Sequence, residues 1–170
     1  MKLIGISFVV ISAASVGIRF SLAVKKRCEL IGQLIIALRM FRSELSAHGT
    51  PLPEAFAVLA AATNGPISDF FAAAARAMAQ KRWISPSDSF LVAEKNLADL
   101  ADEDPVRKIL REFSVGLGKF DLDSQLQSVD NAISRLEMVH QAAEQDKSVR
   151  CKTYRSLGIC AGLALAILLA

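Results

Sequence analysis

The sequence predicts an all-α fold: a six-helix antiparallel bundle with an N-terminal and a C-terminal membrane helix. Three observations lead there. Apolar side chains recur at helical spacing along the chain, and no pair of stretches alternates as partnered strands would. Alanine is plentiful and only 6% of the 170 residues are aromatic, a composition that favours helix over sheet. The hydrophobic share of 52% is high for a soluble chain, and its excess sits at the two ends.

Met1 and Lys2 precede an apolar run from Leu3 to Val24, interrupted only by Arg19. A helix of that length reaches ~33 Å, enough to span a bilayer. Residues 1–24 are therefore expected to form a transmembrane helix, with Arg19 snorkelling toward the basic cluster that follows. That cluster, Lys25, Lys26 and Arg27, marks the cytoplasmic side, because positive charge just after an apolar segment resists translocation. The rival reading is a signal peptide cleaved near Ser21-Leu22-Ala23, which would make the rest an exported helical binding module. The helix continues as an amphipathic stretch. Leu30, Ile31, Leu34, Ile35, Leu38, Phe41 and Leu45 share one face, and Gly49 supplies a stop.

Four shorter helices follow, each with a start signal. Thr50-Pro51 reads as an N-cap and a first-turn proline, opening a helix that carries Leu52, Phe56, Leu59 and Ala60 and ends at Asn64-Gly65-Pro66. The next, from Ile67 to about Gln80, turns Phe70, Phe71, Ala74 and Met78 inward. Ser85-Pro86-Ser87-Asp88 repeats the start signal with Asp88 at the capping-box position, and the helix behind it carries Phe90, Leu91, Ala93, Glu94 and Leu97. Asp104 caps and Pro105 opens a helix with Val106, Ile109, Leu110, Phe113 and Leu117 on its buried face, closed by Gly116 and Gly118.

The last helix starts at an Asp121 or Asp123 cap and has two halves. Leu122, Leu126, Val129, Ile133, Leu136, His140 and Ala143 form a single seam in steps of four and three. From Ser156 to Ala170 there is no charge at all. Between the halves stand Lys147, Arg150, Lys152, Tyr154 and Arg155, the basic and aromatic residues that flank a membrane surface. Residues 156–170 are expected as a C-terminal transmembrane segment. They cover only ~22 Å of a ~30 Å core, so Tyr154 and Arg155 at the headgroups would have to extend them. Gly158 and Gly162 form a G-x-x-x-G pair, a weak signal for close membrane-helix approach.

Charge supports this division. The net charge is +3, yet between Cys28 and Asp146 eleven basic side chains face seventeen acidic ones, a balance of −6. The positive excess flanks the membrane and the body is acidic, which argues against nucleic acid as a partner. Two basic clusters on one side place residues 25–155 in the cytoplasm as a helical domain, with both membrane ends anchored above it.

No catalytic, cofactor or metal motif is present. There is no P-loop, no G-x-S-x-G and no H-E-x-x-H. Three cysteines, Cys28, Cys151 and Cys160, form no C-x-x-C pair and read as reduced structural thiols. His48 and His140 read as surface or partly buried structural residues, and Asp102-Glu103-Asp104 reads as a solvated helix start. A membrane-bound enzyme, with His140 or Asp121 in its site, is the least favoured class. Trp83 beside Lys81-Arg82 is too little for nucleic-acid binding and reads as an interhelix anchor. Arg76, Lys95, Arg107, Lys108 and Arg111 are candidates for a partner-binding face, although such charges are ordinarily just solvated.

Several stretches together resemble the stage III sporulation protein AB family: the opening Met1-Lys2-Leu3-Ile4-Gly5; Gly49-Thr50-Pro51-Leu52-Pro53-Glu54-Ala55-Phe56; Leu117-Gly118-Lys119 and on through Asp121 to Gln125; and Tyr154-Arg155-Ser156-Leu157-Gly158. Phe120 and Ser124 depart from the family's pattern in that turn. The family is similar in turn to the cytoplasmic F-domain of platform proteins in type II secretion and type IV pilus systems. Pro51-Leu52-Pro53-Glu54-Ala55-Phe56, echoed at Ile84-Ser85-Pro86-Ser87-Asp88-Ser89-Phe90, is similar to the helix-start phrases of that domain. The resemblance implies a six-helix F-domain and a non-enzymatic scaffold role in a membrane complex joining mother cell and forespore. It also implies a position on the mother-cell side of the outer forespore membrane and, as partners, a secretion-type ATPase and other subunits of the complex. Platform proteins carry two F-domains and this chain has room for one, so a homo-oligomer would restore the pair.

Overall fold

The computed structural model describes the backbone of residues 2–80, 85–118 and 121–169, and the side chains of residues 22–80, 85–118 and 121–146. Among these residues the chain is all-helical, with six α-helices and no strand. They are α1 (Lys2–His48), α2 (Leu52–Ala62), α3 (Gly65–Gln80), α4 (Pro86–Ala93), α5 (Pro105–Gly116) and α6 (Leu122–Leu169), with one 3-10 turn, Glu94–Asn96, after α4. Two are long and four are short, as the periodicity predicts. Contacts divide the chain into two compact units: Glu29–His140 is one, and Met1–Cys28 with Gln141–Ala170 is the other.

Within the 29–140 unit the core is built from phenylalanine. Six of the nine phenylalanines of the sequence form one connected cluster. Phe41 of α1 meets Phe56 of α2 at 5.2 Å between ring centroids and Phe113 of α5 at 6.1 Å. Phe56 reaches Phe71 of α3 and Phe90 of α4, at 5.7 and 5.4 Å. Phe70 meets Phe90 edge to face at 5.1 Å, and Phe90 closes on Phe113 at 6.0 Å. These separations lie in the range where offset or T-shaped rings attract. Each of the first five helices thus contributes at least one ring to a single centre.

The last helix adds no ring to that cluster. Its seam is aliphatic, with Val129, Ile133 and Leu136 buried, and ion pairs fasten its flank. Arg39 of α1 pairs with Glu137 of α6 at 2.6 Å, and Arg42 with Asp130 at 2.6 Å. Rising numbers on α1 match falling numbers on α6, so the two run antiparallel here. Gly32 of α1 lies under His140: a Cβ at position 32 would stand 3.4 Å from the ring's Nε2.

The start and stop signals hold at most positions. Gly49 ends α1 with φ +57, a left-handed conformation that favours glycine, and its N–H donates to the Leu45 carbonyl. Ser85 Oγ accepts from the Asp88 N–H at 3.1 Å, and Asp104 Oδ1 accepts from the Val106 N–H at 2.9 Å. Asp121, not Asp123, starts α6: it accepts both the N–H and the hydroxyl of Ser124. Thr50 is not the cap of α2. Pro51 occupies that position, and its carbonyl accepts from Glu54 and Ala55. A proline has no side-chain acceptor to offer, and the first-turn proline of α2 is Pro53.

The predicted face of α1 is buried throughout, from Leu30 to Leu45. Three other expectations shift. Leu91 is half exposed, because α4 packs through Phe90 and Ala93 and a residue 100° round from Phe90 points outward. Met78 is only partly buried, and Leu122 is exposed at the open end of the α6 stripe. Among the described residues no helix is long and apolar enough to cross a membrane. The apolar stretches expected to do so, within residues 1–24 and 156–170, lie almost wholly outside the described side chains. Trp83 with its neighbours Lys81 and Arg82, and the turn residue Phe120, also fall outside the described residues.

Candidate functional site

The basic residues expected at a membrane surface fall on the two long helices. Lys25 and Lys26 are exposed on α1 and Arg27 is half-buried beside them. Lys147, Arg150, Lys152, Tyr154 and Arg155 lie along the helical path of α6, with side chains outside the described set. Both groups belong to the unit formed by the chain's two ends.

The most structured polar site lies elsewhere, where α4 gives way to α5. The helix stops at Ala93, the 3-10 turn Glu94–Asn96 follows, and the chain bends through Leu97 and Leu100 before Asp104 starts α5. Carbonyls at such a helix end have no intrahelical donors. Here the Leu97 and Leu100 N–H groups serve the Glu94 and Leu97 carbonyls, and Arg107, in the first turns of α5, adds further donors. Its guanidinium donates to the carbonyls of Glu94 at 3.2 Å, Leu97 at 2.9 Å and Leu100 at 3.0 Å. The Glu94 carboxylate stands 3.5 Å from the same guanidinium and accepts two bonds from Arg111, at 2.8 and 2.6 Å. The bidentate geometry suits a planar fork. This hydrogen bonding and the Glu94 charge raise the pKa of Arg111 above its ordinary value. Glu94 and Arg107 are 4% and 7% exposed, so both ions are held away from water by each other and by the backbone. Among the described residues no buried side-chain polar atom lacks a partner.

This corrects the expectation for Arg107. It is a buried structural ion, not part of a solvated partner face, because a fold that turns sharply at Leu97–Leu100 needs a donor inside the turn. The sequence carries only a faint trace of it, an arginine three residues inside a helix after a loop. Arg111 sits half exposed over Glu94, while Arg76, Lys95 and Lys108 are on the surface.

Between α5 and α6 lies a shallow open cleft of about 190 Å³. Ile109, Phe113 and Ala132 floor it, Ser128 and Asn131 line it, and the Arg135–Glu112 ion pair crosses it. That hydrogen bond from Arg135 holds the Glu112 carboxyl below its ordinary pKa. The cleft is smaller than the usual small-molecule pocket of roughly 300 Å³ or more. No histidine or cysteine lines it. His140 packs on Gly32, His48 is exposed at the end of α1 beside Glu44, and Asp121 caps the start of α6. Nineteen residues of helix separate Asp121 from His140, ~28 Å of rise, so the two residues weighed for an enzyme share no site. Among the described residues no three His, Cys, Asp or Glu side chains could together hold a metal ion. Cys28 is buried as a free thiol.

Comparison with known proteins is consistent from end to end. The family model for stage III sporulation protein AB matches residues 2–170. The protein of that name from Bacillus subtilis (strain 168) is 30% identical over 174 residues, covering 99% of each chain. A solved structure of stage III sporulation protein AB superposes with a TM-score of 0.63 at 26% identity, over 71% of this chain and 94% of that one. The chain belongs to the stage III sporulation protein AB family.

Proposed function

We propose that this protein is a non-enzymatic membrane platform: a scaffold subunit of a secretion-like complex joining mother cell and forespore during sporulation. In this reading residues 1–24 and 156–170 cross the outer forespore membrane. Residues 25–155 hang on the mother-cell side as a six-helix antiparallel F-domain that docks a secretion-type ATPase and other subunits. The observation that carries it is the family match over essentially the whole chain, including both apolar ends. Two features agree with it. The described buried polar groups are consumed inside the fold, as in a scaffold, and the basic residues expected at the headgroups sit on the two long helices. A dimer or higher oligomer would supply the second F-domain that platform proteins carry.

Topology is tested by single cysteines placed at exposed Ser46 or Ala57, with Cys28, Cys151 and Cys160 replaced. An impermeant thiol reagent should label them only after sporulating cells are permeabilised. Labelling in intact cells overturns the cytoplasmic placement. Docking is tested by co-purifying the cognate secretion-type ATPase with the full chain in detergent. A folded protein that never captures the ATPase overturns that role.

A further inference from the structure

The outward face of α6 is built unlike an ordinary solvent face. Between Ser124 and His140 the exposed residues of this helix are Gln127, Asn131, Ser134 and Met138. They recur in steps of four, three and four, and in sequence the same steps run on to Gln141 and Gln145. That is the a/d spacing of a coiled-coil seam, here turned away from the domain's own core. Met138 is 62% exposed, the highest value among the exposed large hydrophobics of the described residues. No residue of the stripe carries a charge, whereas the solvent face of a surface helix ordinarily does.

The charges of the same stretch are Asp130, Arg135 and Glu137, and each is taken by a neighbouring helix. Asp130 and Glu137 pair with Arg42 and Arg39 of α1, and Arg135 pairs with Glu112 of α5. Ion pairs thus close both borders of the stripe. Asp123 stands one turn before Gln127, so the stripe begins beyond the acidic start of the helix. Ile36 of α1 is 57% exposed and lies one turn from Arg39, the partner of Glu137. A second exposed apolar side chain therefore stands at the level of Met138.

We propose that this stripe is the seam along which a second copy of the chain packs, α6 parallel to α6. The chemistry of the stripe selects that occupant. A two-fold axis sets each residue near its own counterpart, where a carboxylate or an ammonium would meet its own charge. Amides and hydroxyls both donate and accept, so Gln127, Asn131 and Ser134 can each satisfy their own copies, and Met138 can pack on itself. A charged partner helix would find no counter-charge on the stripe, and a wholly apolar one would strand its amides. The three-residue step from Asn131 to Ser134 puts Asn131 at an a position, where a polar residue such as asparagine fixes register and oligomeric state. The inference rests on the oligomer in the reading above, since copies anchored in one membrane hold their last helices parallel. A seam of amides buries little apolar area, so the pairing is weak in dilution and depends on the local concentration that a shared membrane supplies.

The test is disulfide cross-linking of the full chain in liposomes, with Cys28, Cys151 and Cys160 replaced. Under mild oxidation Asn131→Cys, Ser134→Cys and Met138→Cys should each give covalent dimers. Ala57→Cys on α2 and Arg76→Cys on α3, both exposed, should stay monomeric. Adding Gln127→Lys and Ser134→Lys should lower the yield at Met138→Cys at least ~10-fold, because like charges then meet across the axis. Helicity and thermal unfolding should remain near those of the parent, as these side chains are exposed. If the α2 or α3 position cross-links and the α6 positions do not, the copies meet elsewhere: this seam is wrong and the oligomer stands. Equal yields on the stripe and at the controls also overturn the seam, since random collision in the bilayer gives that result. If no position cross-links and the solubilised chain is monomeric, seam and oligomer fall together, and ATPase co-purification decides the platform role separately.

Discussion

The phenylalanine centre and the Arg107 node hold neighbouring helices together by opposite means. At the centre, rings from α1 to α5 touch through many weak, loosely directional contacts. At the node, one guanidinium makes bonds to three carbonyls and faces a carboxylate. The centre derives its strength from area removed from water, so a truncation costs in proportion to the volume lost. The node contributes little over a well-packed apolar substitute, yet removing Arg107 takes both guanidinium bonds from the Leu100 carbonyl and leaves the buried Glu94 carboxylate with Arg111 alone. The first region sets how stable the domain is. The second sets where one particular turn must lie.

The contrast is broken most directly at Phe56, which is fully buried and touches Phe41, Phe71 and Phe90. Phe56→Ala should cost about 3–5 kcal/mol. For a chain of this size that is a fall in Tm on the order of 10 °C, read by circular dichroism of the detergent-solubilised protein. A fall of only a degree or two would mean that the rings are not packed as one cluster.

Next in size is Arg107→Met, which preserves much of the volume and removes the donors. We expect a loss of about 3 kcal/mol, the usual consequence of breaking a buried pair. Its distribution is the sharper signature. Amide hydrogen exchange should rise from Glu94 to Leu100 and at the start of α5, while the α1 and α6 amides around Arg39 and Glu137 keep their protection. Adding Glu94→Gln to Arg107→Met should cost less than Glu94→Gln alone, since the charge it removes has already lost one partner. Uniform loosening of all six helices would show that the node is merely part of the general core.

The same contrast explains what the sequence could and could not reveal. The phenylalanines announce themselves: each lies on an apolar stripe of helical period, and burial follows from periodicity alone. Helix starts at Asp104 and Ser85 are equally legible, because a cap is a local hydrogen bond between residues two or three apart. The node is not local. Arg107 reaches carbonyls seven, ten and thirteen residues back, and their position depends on where α4 stops. Its charge also argues for the surface, since an arginine is rarely buried without partners and those partners are backbone atoms with no sequence signature. Leu91 fails for the converse reason. Apolar identity suggested burial, but α4 is short and its core face is narrow. Thr50 fails because a serine- or threonine-proline pair has two possible frames, and the chain uses the later proline, Pro53, inside the helix.

The smallest expected effect belongs to the surface pair that most resembles the node on paper. Arg135 donates to Glu112 across the α5–α6 cleft, as Arg111 donates to Glu94, but both partners are well exposed. The hydrogen bond from Arg135 depresses the Glu112 carboxyl below its ordinary value of 4.5. A depressed folded pKa means that the stabilising contribution is complete above about that ordinary value. It disappears as pH falls through the lower folded one. A carboxyl-detected NMR titration should therefore place Glu112 below the ordinary glutamate range, and Arg135→Ala should return it there. The variant should scarcely change unfolding at neutral pH, because exposed ion pairs are screened by water and salt. Asp121 supplies the internal control: it too is depressed, by the hydroxyl and N–H of Ser124, and Arg135→Ala should leave its titration unmoved. Were Glu112 to titrate at its ordinary value in the wild type, the bridge would not persist in solution. Burial at the Arg107 node would then be the feature that separates a lasting ion pair from a transient one.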